Sequence, residues 1–288
     1  MVVTVGFFDG VHLGHRRVLR SLCESGESAA VVTFWPHPRV VLQQDARDFV
    51  LLSSLEEKLS LVRSFGVEDV RCVDFTKGFA SISATDFIRD YLIEKMHCTR
   101  LVLGYDNRLG SDGLSTSELA LLGRSMGLEV TVVDPYVLDG VNVSSTRIRN
   151  AVLDGDVAYA AQMLGYRYSI SGIVVPGNRL GRTIGFPTAN MKPTFPLKVM
   201  PKNGVYATEI TVGDRHFRGM TNIGVRPTLG AGNERIMETN IFDFDEDIYG
   251  MEIQVAFMAR IRNEQCFDSL DDLKVQLATD KHRCYGCN

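Results

Sequence analysis

The sequence has no run of about 18 apolar residues, so no membrane-spanning helix is expected from it. It also lacks an excess of positive charge. Lys and Arg number 31 against 35 Asp and Glu, a net of −4. Divided after Arg167, the first part carries 17 basic and 21 acidic residues and the second carries 14 of each. Neither half therefore has the basic surplus of a nucleic-acid binder. The opening residues do not read as a secretion signal, because Asp9, His12, His15, Arg16 and Arg17 stand where an apolar stretch would be needed. The expected location is cytoplasmic. Cysteine is sparse: Cys23, Cys72, Cys98, Cys266, Cys284 and Cys287 are spread along the chain, as expected of reduced thiols and not of a disulfide framework. Cys284-Tyr285-Gly286-Cys287 is a CxxC without a second CxxC or a His pair beside it, which disfavours a metal or redox role. No Gly-Lys-Ser/Thr follows the glycine-rich stretch near residue 180, so that stretch is not a Walker A loop.

What is present is ordinary globular material: 288 residues, 45% hydrophobic, enough for two domains. The first half alternates strand-like and helix-like segments. Strands are predicted over Val2–Phe7, Ala29–Phe34, Val70–Phe75, Arg100–Leu103 and Leu128–Val133. Helices are predicted over Gly14–Leu22, Leu55–Phe65, Ala84–Lys95, Thr116–Met126 and Ser145–Leu153. This alternation predicts an α/β fold with a parallel, doubly wound sheet and a ligand crevice at the carboxyl ends of its strands. Near Arg167 the pattern changes to short β-like runs separated by turn residues: Tyr168–Val175, Gly204–Val212, His216–Ile223, Glu238–Phe244 and Met251–Ile261. A small antiparallel barrel or sandwich is expected there, closed by a helix over Leu270–Thr279. The expected domains are 1–167 and 168–288.

Two dense motifs carry chemistry. Gly6-Phe7-Phe8-Asp9-Gly10-Val11-His12-Leu13-Gly14-His15 lies between the first strand and the first helix. Two histidines three apart at a helix start can share a face with outward backbone N–H groups, a place suited to phosphate. Gly6 and Gly14 leave room for a nucleotide. Solvated loop histidines or half of a zinc site are the alternatives, and the lack of further ligands at suitable spacing counts against zinc. Val143-Ser144-Ser145-Thr146-Arg147-Ile148-Arg149 opens the last helix of this half and places hydroxyls and an arginine where terminal phosphates could sit, unless it is an ordinary helix cap. In the second half, Gly177, Gly181 and Gly185 precede Phe186-Pro187-Thr188-Ala189-Asn190. The glycines could form a phosphate-wrapping flap or a plain hairpin. Thr188 and Asn190, two apart, share a face if extended and suit a Mg²⁺–nucleotide site. Glu238 begins an apolar strand and could accept a proton from a hydroxyl. The acidic cluster Asp243–Asp247 could be a metal site, but reads better as a solvated turn.

Strand, HxGH and SSTxxR together resemble the HxGH nucleotidyltransferase superfamily. With Thr33-Phe-Trp-Pro-His37-Pro38, Leu55-Glu-Glu-Lys58, Gly104-Tyr-Asp106, GFPTAN, Thr221-Asn-Ile-Gly-Val-Arg226-Pro-Thr228 and the segment from Glu238 to Gly250, the chain resembles, end to end, the bifunctional riboflavin kinase/FMN adenylyltransferase family. The resemblance implies a Rossmann-like adenylyltransferase domain followed by a small β-barrel riboflavin kinase domain with a C-terminal helix. It implies ATP, riboflavin, FMN and FAD as substrates and products, Mg²⁺ as cofactor, and small molecules as the only partners. Glu238 would be the kinase general base, Thr188 and Asn190 the metal and phosphate ligands, and the 177–185 loop the ATP cover. His12 and His15 would hold phosphates in adenylyl transfer. Ser145, Thr146 and Arg149 would hold the triphosphate end, and Gly6, Phe8, Gly14, Gly104 and Asp106 would line that nucleotide's pocket. Phe7, Asn107, Leu109, Asn142 and Asn240 depart from the family pattern. Loss of two aromatics at 107 and 109 would loosen flavin binding in the first domain, so a kinase with a degenerate first domain is the alternative.

Overall fold

The structure, a computed structural model, describes residues 1–24, 26–42, 49–177, 180–228 and 232–287. The chain divides into two compact units, Met1–Ser145 and Thr146–Asn288. The expected break at Arg167 lies inside the second unit, after its first helices.

The first unit is built on five parallel strands: β1 (Val2–Val5), β2 (Ala29–Trp35), β3 (Asp69–Asp74), β4 (Arg100–Gly104) and β5 (Glu129–Val133). Their order is β3-β2-β1-β4-β5. Successive side chains point to opposite faces. Val2, Val31 and Val102 join one core, with Val18, Leu19 and Leu22 of helix α1 (Leu13–Cys23). Val3, Val32, Leu101 and Leu103 join a second core on the other face. Burial on both faces explains why these strands read as continuous apolar runs. Helices α2 (Leu55–Arg63) and α3 (Thr116–Ser125) each start with a reciprocal capping box, Ser54 with Glu57 and Ser115 with Glu118. The expected helix over Ala84–Lys95 is present, but from Phe87 to Lys95 its turns widen to π spacing, with Phe87 and Tyr91 stacked at 5.2 Å. A two-residue hairpin pair, β6 (Val137–Leu138) and β7 (Val141–Asn142), precedes the SSTxxR segment. Strand order reverses direction at β1, so the crevice of this sheet lies outside the carboxyl ends of β1 and β4.

Helix α4 (Ser145–Asp154) starts on the last residue of the first unit and belongs otherwise to the second, as does α5 (Val157–Leu164). The sequence analysis missed α5: Val-Ala-Tyr-Ala-Ala-Gln-Met-Leu has little polar contrast, so no period stands out. Its signals were its caps, Asp156 and the left-handed Gly165. A closed antiparallel barrel follows: β8 (Ser169–Val175), β9 (Ala189–Pro193), β10 (Gly204–Val212), β11 (Arg215–Thr228), β12 (Gly232–Ile241) and β13 (Glu252–Arg262). Its order is β10-β11-β12-β9-β8-β13. β9 was not expected, being short and polar with a terminal proline. β12 begins well before Glu238, which therefore sits inside a strand and does not start one. Helix α6 (Leu270–Tyr285) runs past the predicted end at Thr279 and takes in Cys284. It is anchored to the barrel by Asp280, fully buried, which accepts from Arg262 Nε at 2.8 Å and from Gln276 Nε2 at 2.9 Å. Among the described residues no helix is long and apolar enough to cross a membrane.

Phe257 is fully buried, stacked on Tyr168 and edge-on to Tyr206 at 5.4 Å. Phe257→Ala is expected to destabilise the barrel by about 3–5 kcal/mol, read as a fall in denaturation midpoint.

Candidate active sites

The β1–α1 loop is backbone-strained. Phe8 (φ 58°), Gly10 (φ 75°) and Val11 (φ 37°) all lie in the left-handed region, and Val11 is β-branched. Conformations of this kind cost roughly 1–3 kcal/mol each and persist only when their surroundings impose them. Asp9 supplies that restraint. Its buried carboxylate accepts from the backbone N–H groups of Leu52 and Ser53 at 2.9 and 3.1 Å, and from the Ser53 hydroxyl at 3.2 Å. The Ser53 Oγ in turn accepts from Gly10 N at 3.0 Å.

The restrained loop delivers His12 to the N-cap of α1. There its Nδ1 accepts from His15 N at 3.3 Å, so its proton sits on Nε2. The two imidazoles stack at 3.6 Å. Glycine at 14 lets the His12 ring lie this close: a Cβ at that position would sit 3.1 Å from it and displace the ring slightly. Burial holds His12 down at about 3. Burial, then the neighbouring His12 and Lys58 charges, hold His15 well below the ordinary imidazole range. Both rings are therefore neutral at physiological pH. The sign for stability follows: unfolded histidines take up protons as pH falls below about 6.5 while folded His12 resists until about 3, so acid destabilises this unit across that window. His15 Nδ1 is buried without a hydrogen-bond partner among the described residues. An orphaned buried nitrogen beside a helix N-terminus is a place for an anion.

Of the other predicted residues, Phe8 and Ser145 adjoin the histidine loop. Phe8 is buried, edge-on to His15 at 5.1 Å, and its ring lies against Gly6, where a Cβ would meet it at 3.1 Å. Phe8 thus backs His15. Ser145 donates to the Asp9 carbonyl at 2.9 Å, which joins the SSTxxR segment to the histidine loop. Thr146 is exposed one residue further along α4, and Arg149 Nη2 donates to its hydroxyl at 3.5 Å. Gly104 ends β4 at the crevice and Asp106 is exposed beyond it.

The sequence analysis missed two residues here. Asn107 was seen only as a departure from a family pattern. Its Oδ1 accepts from Gly104 N at 2.6 Å and its Nδ2 donates to Val5 O at 2.7 Å, so it ties the ends of β4 and β1 together at the switch point. Lys58 was quoted only as part of a helix motif. It is fully buried, donates to Phe34 O at 3.0 Å, and lies 3.9 Å over the ring of Phe7.

In the second unit, strand register assembles the site. Glu238 of β12 is paired with Asn190 of β9 on one side and with Asn222 of β11 on the other. Gly177 lies so close to Asn190 that a Cβ would fall 2.1 Å from its amide nitrogen. Close packing inside the loop thus requires glycine at 177, and the same holds at 181, against the Phe186 carbonyl at 2.2 Å. Gly185 is left-handed (φ 84°) and open. Positions 178 and 179 of this expected ATP cover lie outside the described residues. The Asn240 amide donates to Pro187 O at 2.6 Å and so holds the Pro187-Thr188 turn. Two cavities adjoin. One, of about 240 Å³, is lined by Arg182, Thr188, Thr239 and the 244–249 loop. The other, of about 330 Å³, is lined by Phe186, Thr188, Asn222, Glu238, Asn240, Arg262 and Phe267, with Leu273 and Leu277 of α6. Thr188 belongs to both walls. Asp243–Asp247 forms a turn whose groups are engaged: Asp243 accepts from Tyr285 OH at 3.0 Å and Glu246 pairs with Arg215 at 2.7 Å. Among the described residues no group of His, Cys, Asp and Glu could hold a metal. Cys284 is buried in an apolar cluster with Val205, Met220 and Phe242, and burial pushes its thiol up to about 12, the mark of a structural cysteine.

Comparison with known proteins follows this division. Residues 1–147 match the FAD synthetase family model and residues 164–286 the riboflavin kinase model. The bifunctional riboflavin kinase/FMN adenylyltransferase of Escherichia coli strain K12 is 41% identical over 289 residues, covering 97% of this chain and 90% of that protein. That of Bacillus subtilis strain 168 is 36% identical with the same coverage. Among solved structures, one described as a macrolide-efflux protein from Streptococcus pneumoniae superposes with a TM-score of 0.92 at 35% identity, covering 100% of this chain and 94% of that one.

Gly14→Ala separates folding from anion binding. Alanine favours the helix by about 1 kcal/mol, while its methyl pushes the His12 ring off His15. The thermal midpoint is expected to hold or rise, and pyrophosphate affinity by calorimetry to fall about tenfold.

Proposed function

This chain belongs to the bifunctional riboflavin kinase/FMN adenylyltransferase family, and on that premise we propose how its own residues divide the two reactions. The chain phosphorylates riboflavin with ATP to give FMN, then adenylylates FMN with a second ATP to give FAD and pyrophosphate. We assign the first step to the barrel domain, residues 168–288, and the second to residues 1–167.

The observation that carries the kinase assignment is the meeting of two cavities at Thr188, with Glu238 lining only the more apolar of them. Riboflavin enters that cavity, its ring system against Phe186 and Phe267 and its ribityl chain toward Glu238. ATP occupies the cavity lined by Arg182 and the 244–249 loop. Glu238 accepts the proton of the ribityl 5′-hydroxyl as that oxygen attacks the γ-phosphorus and ADP leaves. The Thr188 hydroxyl and the Asn190 amide oxygen are hard donors two residues apart, a set that fits Mg²⁺. Neither side chain makes a hydrogen bond among the described residues. When bound there, the ion would neutralise charge on the transferring phosphates.

In adenylyl transfer the FMN phosphate attacks the α-phosphorus and pyrophosphate departs, without a protein nucleophile. His12 and His15 donate N–H groups to phosphate oxygens and share the developing charge. Ser145, Thr146 and Arg149 hold the triphosphate end. A kinase-only reading was motivated by Asn107, Leu109 and Asn142. Asn107 supports the bifunctional reading, since it fastens β1 to β4 beside the histidines. All six cysteines are free thiols, which supports a reducing, cytoplasmic setting.

Two variants test the division of labour. Glu238→Gln is expected to lower FMN formation at least a hundredfold while FMN is still converted to FAD. His15→Ala is expected to do the reverse. Chromatography of the flavins formed from riboflavin or FMN with ATP and Mg²⁺ reads both. Loss of both activities in either folded variant contradicts the assignment.

A further inference from the structure

The most costly side chain in the first unit has no part in the mechanism above. Lys58 is 0% exposed. Among the described residues its ammonium has no ion-pairing carboxylate; it donates to the Phe34 carbonyl at 3.0 Å and faces the rings of Phe7 at 3.9 Å and Trp35 at 5.3 Å. Asp9 acts on the ammonium electrostatically without pairing with it; burying an ammonium without a directly paired carboxylate costs several kcal/mol, and a methionine would fill the same volume without that cost. Its contacts define a place. Phe34 lies in the last turn of β2 and Phe7 follows β1, so the charge sits at the carboxyl edge of the sheet, on the β2 side of β1. Ser145, assigned to the triphosphate, donates to the Asp9 carbonyl of the histidine loop, and Gly104 ends β4, the neighbour of β1 away from β2. The loop bearing Asp9, His12 and His15 thus lies between an assigned triphosphate side and a buried cation.

We propose that Lys58 is a positioning residue for adenylyl transfer, a fixed buried charge that holds Phe7 and the end of β2 in place and supplies positive potential for the FMN phosphate entering beside the neutral histidine pair. The inference rests on the assignment of FMN adenylylation to this unit. It accounts for a cation kept where packing alone favours an apolar side chain. It also accounts for Phe7, whose ring face stabilises the ammonium and whose edge meets His37 at 4.2 Å.

Charge makes the proposal testable by pH. The groups facing Lys58 are Asp9 and His15, with His12 stacked behind His15, Cys72 on β3, and His37 beyond Phe7; Glu57, on its own helix, is turned to the Ser54 cap. Burial lowers Lys58 to about 8, whereas the Cys72 thiol is raised above its ordinary value. As pH rises through about 8 the ammonium loses its proton, so FAD formation is expected to decline there.

The experiment measures FAD formation from FMN and ATP, and FMN formation from riboflavin, against pH in the wild type, Lys58→Met and Lys58→Arg. For Lys58→Met, FAD formation is expected to fall at least thirtyfold, with an unchanged or raised thermal midpoint and unaltered kinase activity. For Lys58→Arg, which stays charged, partial activity is expected with the decline above pH 8 abolished. A lysine that only fills space gives the opposite order, Met tolerated and Arg poor, and that result overturns the proposal. So does Lys58→Arg retaining the decline near pH 8, which decides the matter if the Met variant does not fold. A wild type that makes no FAD refutes the underlying assignment instead.

Discussion

The histidine loop of the first unit, to which we assign adenylyl transfer, depends on the carboxylate of Asp9. Left-handed backbone at Phe8, Gly10 and Val11 places His12 at the start of α1, and only Gly10 favours it intrinsically. Asp9 imposes it by gathering the N–H groups of Leu52 and Ser53 and the Ser53 hydroxyl, while its own carbonyl takes the hydroxyl of Ser145. Each of those donors would be buried and unsatisfied without it. The Asp9 side chain thus couples the β1–α1 loop to the 51–53 segment, and its backbone carbonyl couples it to Ser145. The histidine stack follows from the geometry so imposed.

The two units meet phosphate by different physical means, and neither uses net charge. In the first, neutral imidazoles at a helix N-terminus follow β1, beside which strand order reverses, and a buried ammonium lies on the β2 side. In the second, antiparallel register sets Asn190, Glu238 and Asn222 side by side, and close backbone approach at Gly177 and Gly181 folds the loop onto them. A chain with a net charge of −4 handles several anionic ligands because local fields decide binding of small anions, whereas overall charge bears on polyanions.

Much of this was legible in the sequence. The five parallel strands show as β-branched apolar runs because both faces are buried, and glycines between polar motif residues mark backbone approach. Strand β9 was hidden because its residues serve the site more than the core, and α5 because it is apolar on nearly every side. Glu238 was recognised as chemically distinct, but its place inside β12 was not, since the strand opens on the polar run Gly232-Asn-Glu-Arg235. Asn107 and Lys58 were invisible as functional groups for a common reason. Each acts through backbone carbonyls or aromatic faces brought together only by the fold: Val5 and Gly104 for Asn107, Phe7 and Phe34 for Lys58. Spacing along the chain carries no trace of such partners.

The central claim is that His12 and His15 are held neutral by burial until an anion supplies the charge that lets them protonate or donate. The direct test is proton NMR of the histidine ring signals against pH, without and with saturating pyrophosphate. In the free protein the His12 and His15 signals should not move between about pH 5 and 8, and pyrophosphate should bring a titration into that range, because an anion raises an imidazole pKa. Ordinary titration near 6.5 in the free protein, or rings still silent with pyrophosphate bound, would contradict it.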